Sequence, residues 1–200
     1  MVGCFYNDYF WNSWCNKKMK KTNLFKLQII FLLPITVLII ICIFFSIYIL
    51  QKRSPNEPPS ALLGKDIPFF ETKNLFNESI ILNNKNLKNK YVLINFFASW
   101  CAPCKVEHPL FFEIKKNYPN LYLLGINHKD KLKNAFTYLD EEGDPYNFVG
   151  LDSDGILAIE FGVFGLPETF LINPDGKIIY KHLGPLTKKI IKNEIKPLLH

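Results

Sequence analysis

The sequence predicts an α/β domain with a mixed sheet flanked by helices, preceded by one N-terminal transmembrane helix. Three observations carry this expectation. Apolar runs of β-formers alternate with stretches of helical period from Tyr91 to Gly162, the pattern of strands joined by crossover helices. The segment "TFLINPDGKIIYKH" (Thr169–His182) sets two such runs around Pro-Asp-Gly, which reads as an antiparallel hairpin. And the 24 residues from Leu27 to Leu50 carry no charge.

Four segments follow in order: a cytoplasmic segment at 1–26, an anchor at 27–50, a linker at 51–61 and a folded domain at 62–200. As a helix the anchor would measure roughly 36 Å, enough to cross a hydrocarbon core of about 30 Å. It is longer than the apolar part of a signal peptide, and "SIYILQKRS" offers no small-x-small cleavage site. Lys17, Lys18, Lys20, Lys21 and Lys26 precede it, whereas only Lys52 and Arg53 follow closely. Basic flanks stay inside, so the domain is expected outside. The first eighteen residues are rich in aromatics without a period, and "MKKTNLFK" from Met19 is the more ordinary start. "QKRSPNEPPSALLGKD", with three prolines, is a semi-extended spacer.

Within the domain, "IPFFETKNLFNESIILNNKNLKNK" suggests short extended segments around an Asn-rich turn. "YVLINFF" (Tyr91–Phe97) is continuous and apolar, as a strand buried on both faces requires. "KVEHPLFFEIKKNY" spaces Val106, Leu110 and Ile114 four apart, a helix that Pro109 should kink and Pro119 should end. "NLYLLGIN" is the next strand, and "KLKNAFTYLDEEG" a helix closed by Gly143. "YNFVGLD" is a third strand, "GILAIEFG" a short helix, and "TKKIIKNEIKPLL" a closing amphipathic helix.

The net charge of +6 belongs to the N-terminal end. Residues 1–53 hold seven Lys/Arg against Asp8, leaving 17 basic and 17 acidic residues on 54–200. A domain with no basic excess is not built to bind nucleic acid.

The strongest chemical signal is "SWCAPCK", a C-x-x-C at a strand-to-helix junction. Cys101 would sit at the helix N-terminus, where unsatisfied N–H groups and the helix dipole favour a thiolate. Cys104, one turn on, would resolve the mixed disulfide. Pro103 suits the first turn, and Trp100 would offer a flat apolar surface. A zinc site needs a second Cys/His pair, and no other C-x-x-C exists; Cys4, Cys15 and Cys42 lie before or within the anchor. No cofactor or metal is expected. Asn95, six residues before Cys101, cannot accept a proton, which makes a nearby Glu the acceptor for Cys104. Glu107 and Glu168 are the acids near the site, and Pro167 precedes the strand at Thr169, where a cis bond would offer a backbone edge to a polypeptide.

These residues resemble a known family. "NFFASWCAPCK" looks like thioredoxin-fold proteins. The stretch from Gly125 to Thr187, and "GVFGLPETFLI" above all, resembles the periplasmic thiol:disulfide interchange proteins of cytochrome c maturation, the CcmG or DsbE family. The resemblance covers nearly all of 62–199. It implies a thioredoxin-like fold, with Cys101 and Cys104 as the active pair and Pro167 as the cis-proline. Glu107 and Glu168 would lie on an acidic active-site surface. It also implies a reductant for the haem-binding cysteines of apocytochrome c, or of a thiol partner, recharged by a DsbD- or CcdA-type membrane donor. Phe164 stands where a Tyr is common in the family. Three other readings remain: a disulfide-forming oxidase on the same fold, a copper chaperone using Cys101, Cys104 and His108 or His182, and a non-catalytic binding module.

Overall fold

The structure, a computed structural model, describes residues 32–47 and 62–199. Two compact units divide the chain near residue 56. In the first, residues 32–47 form helix α1, whose side chains are exposed and which carries the free thiol of Cys42. Among the described residues no helix is long and apolar enough to cross a membrane. The expected anchor reaches beyond α1 on both sides, and its residues 27–31 and 48–50, like the segments 1–26 and 51–61, lie outside the described residues.

In the second unit, five strands make one mixed sheet in the order β5-β4-β3-β6-β7. They are β3 (Val92–Phe97), β4 (Tyr122–His128), β5 (Phe148–Asp152), β6 (Glu168–Ile172) and β7 (Ile178–Leu183). β3 runs parallel to β4 and β4 to β5, while β6 is antiparallel to both β3 and β7. The parallel half uses the crossover helices α2 (Ala102–Asn117) and α3 (Leu132–Glu142); the short α4 (Ile156–Glu160) follows β5. The antiparallel half is the Pro-Asp-Gly hairpin that the sequence predicts.

β3 is central and every residue in it is buried. Its alternation divides the core in two. Val92, Ile94 and Phe96 pack with Phe70, Leu87, Phe161 and Ile178. Leu93 and Phe97 pack with Phe111, Ile114, Tyr146 and both site cysteines. Asn95 shares this second face as a fully buried amide.

The Asn-rich region forms a small hairpin, β1 (Glu71–Lys73) with β2 (Ile81–Asn83), followed by a 3-10 turn at Asn84–Leu87. Asparagines shape it: Asn74 Oδ1 accepts from Phe76 and Asn77 N–H, and Asn83 and Asn86 form a reciprocal cap.

α2 runs unbroken through Pro109, which is exposed. One expectation needs amendment. The closing segment is not one α-helix: α5 (Lys188–Ile190) passes into a π segment at Ile191–Ile195 and a 3-10 turn at Lys196–Leu198. The Lys196 N–H reaches back to Ile191 O, and Pro197 beside it has no N–H to continue an α ladder.

Candidate active site

Cys101 is the N-cap of α2 (φ −87°, ψ 104°), and its Sγ accepts from the Cys104 N–H at 3.2 Å. The two sulfurs are joined in a disulfide, with Cα atoms 5.3 Å apart; this is the oxidised form of the pair. Both cysteines are buried, so a reacting group meets them over a narrow opening. Ala102 and Pro103 between them are exposed. The strand side of the junction is tied down by Asp130, which accepts from Ser99 N–H (2.6 Å), Ser99 Oγ (2.9 Å) and Asn127 Nδ2 (3.1 Å). Trp100 is exposed, and its Nε1–H donates to Lys129 O at 3.2 Å.

Glu107 follows Cys104 by three residues, on the same face of α2, and it is 2% exposed. Its Oε1 accepts from Asn95 Nδ2 at 2.9 Å and its Oε2 from Leu186 N–H at 2.7 Å. Asn95 also donates to Thr169 Oγ1 (3.1 Å) and accepts from the Tyr146 hydroxyl (2.8 Å). All of these donors are neutral. Burial therefore prevails over the hydrogen bonds from Leu186 and Asn95, and the Glu107 carboxyl is pushed up to about 7. Burial likewise raises the Tyr146 hydroxyl well above the usual phenol range, so it stays a protonated donor.

Glu168 is the second buried acid, fully enclosed on β6. Its Oε1 faces the Lys181 ammonium at 2.5 Å, and its Oε2 accepts from Phe164 N–H at 2.8 Å. Lys181 Nζ also donates to Gly162 O at 2.8 Å and lies 4.9 Å from the centre of the Phe164 ring. The Leu166–Pro167 bond is cis, and Pro167 O accepts from Gly184 N–H. A groove of about 330 Å³ runs between Trp100 and the 163–166 loop, with His128, Lys129 and Ile159 along it.

The structure thus gathers Cys101, Cys104 and Glu107 on one end of α2 and brings Pro167 and Glu168 to the start of β6. The expected acidic surface is not formed, because Glu107 and Glu168 are both buried. Their partners come from neighbouring strands and loops: Asn95 on β3 and the Leu186 N–H for Glu107, Lys181 on β7 and the Phe164 N–H for Glu168. His108 turns away from the sulfurs: its ring packs on Phe112 and Tyr138, and Nε2–H donates to Gly143 O at 2.9 Å. His182 stacks on Tyr180. Tyr146, Thr169, Lys181 and Asp130 were not legible as site residues. "GDPYNF" and "IIYKHL" look like an ordinary loop and an ordinary strand.

A C-x-x-C capping a helix beside a central parallel strand, with a cis-proline at the neighbouring strand, defines a thioredoxin-fold thiol-disulfide oxidoreductase. Known proteins agree. The AhpC/TSA family profile matches residues 63–181. The thiol:disulfide interchange protein HelX of Rhodobacter capsulatus is 38% identical over 152 residues, covering 76% of this chain and 85% of HelX. DsbE of Escherichia coli is 37% identical over 149 residues, covering 74% and 80%. Among solved structures, a thiol:disulfide interchange protein of Chlorobium tepidum superposes with a TM-score of 0.59 at 25% identity, covering 68% of this chain and 96% of that one. The chain belongs to the AhpC/TSA family and, within it, to the DsbE-type thiol:disulfide interchange proteins.

Proposed function

We propose that this protein is a membrane-anchored, periplasmic dithiol reductant of cytochrome c maturation, with Cys101 as nucleophile and Cys104 as resolving thiol. The Cys101 thiolate attacks a client disulfide, forming a mixed disulfide and releasing one client thiolate. Cys104 then attacks Cys101 Sγ, which expels the second client thiolate and closes the Cys101–Cys104 disulfide. The client gains two electrons and the pair loses two.

The observation that carries the exchange chemistry is Glu107, a buried carboxylate one turn beyond Cys104 with a proton affinity near neutrality. Cys104 is buried, so a neighbouring acceptor of matched pKa would aid the loss of its proton. Glu168 serves the site by holding the loop before Pro167, and Pro167 presents the Leu166 backbone to an extended polypeptide. The client assignment is supported by the likeness of "GVFGLPETFLI" to the cytochrome c maturation reductants and by the DsbE-type relatives. The client is apocytochrome c or a thiol partner, and a DsbD- or CcdA-type membrane donor returns the electrons. The anchor is supported by the uncharged run 27–50 and its basic N-terminal flank. Confinement to the membrane raises the effective concentration of donor and client.

The test is the reduction potential of the pair in the full chain, equilibrated against glutathione and dithiothreitol. A value well below about −200 mV, toward the thioredoxin value of about −270 mV, is expected. A value near about −120 mV belongs to a disulfide-forming oxidant and ends the cytochrome reading. A Cys104→Ser variant should accumulate a mixed disulfide through Cys101 with an oxidised Cys-x-x-Cys-His peptide.

A further inference from the structure

We propose that Lys181 is a positioning residue for client selection: through Glu168 and Gly162 it fixes the loop that carries Phe164, the aromatic wall of the groove beside Cys101. The inference rests on the exchange reading above and adds to it a residue on β7, two strands away from the strand that leads to the cysteines.

Phe164 is an unusual wall. It is 72% exposed, so packing against the core does not hold it. What holds it is electrostatic and comes from below. Its N–H donates to Glu168 Oε2, and the carbonyl two residues earlier, Gly162 O, accepts from Lys181 Nζ. The same ammonium faces Glu168 Oε1 and lies against both the Phe164 and Phe170 rings, at 4.9 and 5.2 Å. One cation thus touches the loop backbone, the loop aromatic and the acid that holds the loop amide. Its side chain is only 7% exposed; water does not screen these contacts. A lysine doing no more than neutralising Glu168 would need neither the Gly162 carbonyl nor the Phe164 ring.

The site has two routes of access, and they differ in what they need. A small disulfide needs only the sulfur of Cys101. A polypeptide disulfide also lays flanking residues along the groove between Trp100 and Phe164, and aromatic walls are where such contacts concentrate. Lys181 should therefore govern the second route through Phe164, with no direct contact to the reacting sulfurs.

The experiment compares kcat/KM for three oxidants of the reduced full chain: an oxidised Cys-x-x-Cys-His peptide, insulin and glutathione disulfide. Lys181→Met, Phe164→Ala and the double variant are measured together, with Lys181→Arg as the rescue. Since Lys181→Met leaves a buried acid alone, Lys181→Met/Glu168→Gln is included to keep a folded protein lacking the cation. The preference for polypeptide over glutathione disulfide is expected to fall roughly tenfold in Lys181→Met, through KM. Phe164→Ala should fall as far, the double variant no further, and Lys181→Arg should recover most of the loss. Additive losses in the double variant, or equal losses on all three oxidants, would overturn the proposal. A wild type that reduces insulin but spares the cytochrome-type peptide would remove the cytochrome reading while leaving the Lys181 comparison measurable on insulin. Reduction of neither polypeptide removes both.

Discussion

Two floors of the site, one beneath Cys104 and one beneath Phe164, are each built on a buried glutamate, and they do different work. Glu107 meets only neutral donors, the Asn95 amide and the Leu186 N–H, and burial lifts its proton affinity to near pH 7. Glu168 meets an ammonium and is tied into the loop that it supports. Burial by itself does not decide what a carboxylate is for. The charge of its partner matters as well: with neutral partners Glu107 keeps a raised proton affinity, as the proposed acceptor needs, whereas a cation ties Glu168 into a buried ion pair.

The contrast can be broken at either floor. The largest effect should follow removal of the cation. Lys181→Met leaves Glu168 buried without its partner, and a loss of about 3–5 kcal/mol is expected in urea unfolding at neutral pH. A loss below about 1 kcal/mol would show that the two floors do not differ in this way. On the other floor the effect should be on rate. Glu107→Gln removes the proton acceptor while keeping its shape, and stopped-flow exchange at pH 7 should slow by about 10²-fold. An undiminished rate would take Glu107 out of the mechanism.

The pH profile of stability sharpens the comparison. The folded state holds the Glu107 proton up to about pH 7, whereas an ordinary carboxyl loses it near 4.5. Between those values the folded state binds more protons, so the Glu107 contribution is fully present below about 4.5 and is lost as pH rises through 7. A decline of a few kcal/mol across this window is expected in the wild type, and Glu107→Gln should flatten it. A wild-type profile flat from pH 5 to 7 would contradict the assigned environment. The smallest effect is expected at Tyr146→Phe, which deprives Asn95 Oδ1 of its donor. It should cost about 1–2 kcal/mol by thermal unfolding, and no change would mean that the amide finds another partner.

What could be read in advance follows the range of the interactions involved. β3, the cysteine pair and the Pro-Asp-Gly hairpin depend on neighbours in sequence, and the structure has them where the residues place them. Glu107 was not legible as a buried group. An acidic side chain on a helix is solvated unless something covers it, and the cover comes from Tyr146 and Leu186, 39 and 79 residues along the chain. Lys181 escaped notice for the same reason, being one of many lysines in an alternating strand until its contacts are seen. The closing helix failed locally: its amphipathic period was visible, but the effect of Pro197 on the preceding turn outweighed it.

The clasp at Asp130 has a consequence for how such a protein can be retuned. Cys101 is fastened on one side through Ser99 to Asp130 and on the other by the first turn of α2. Ala102 and Pro103 bulge between these fastenings into solvent. The dipeptide therefore stands outside the contacts that fix the place of Cys101. Those two residues are accordingly the place where the surroundings of the pair can be varied with Cys101 itself still held in position.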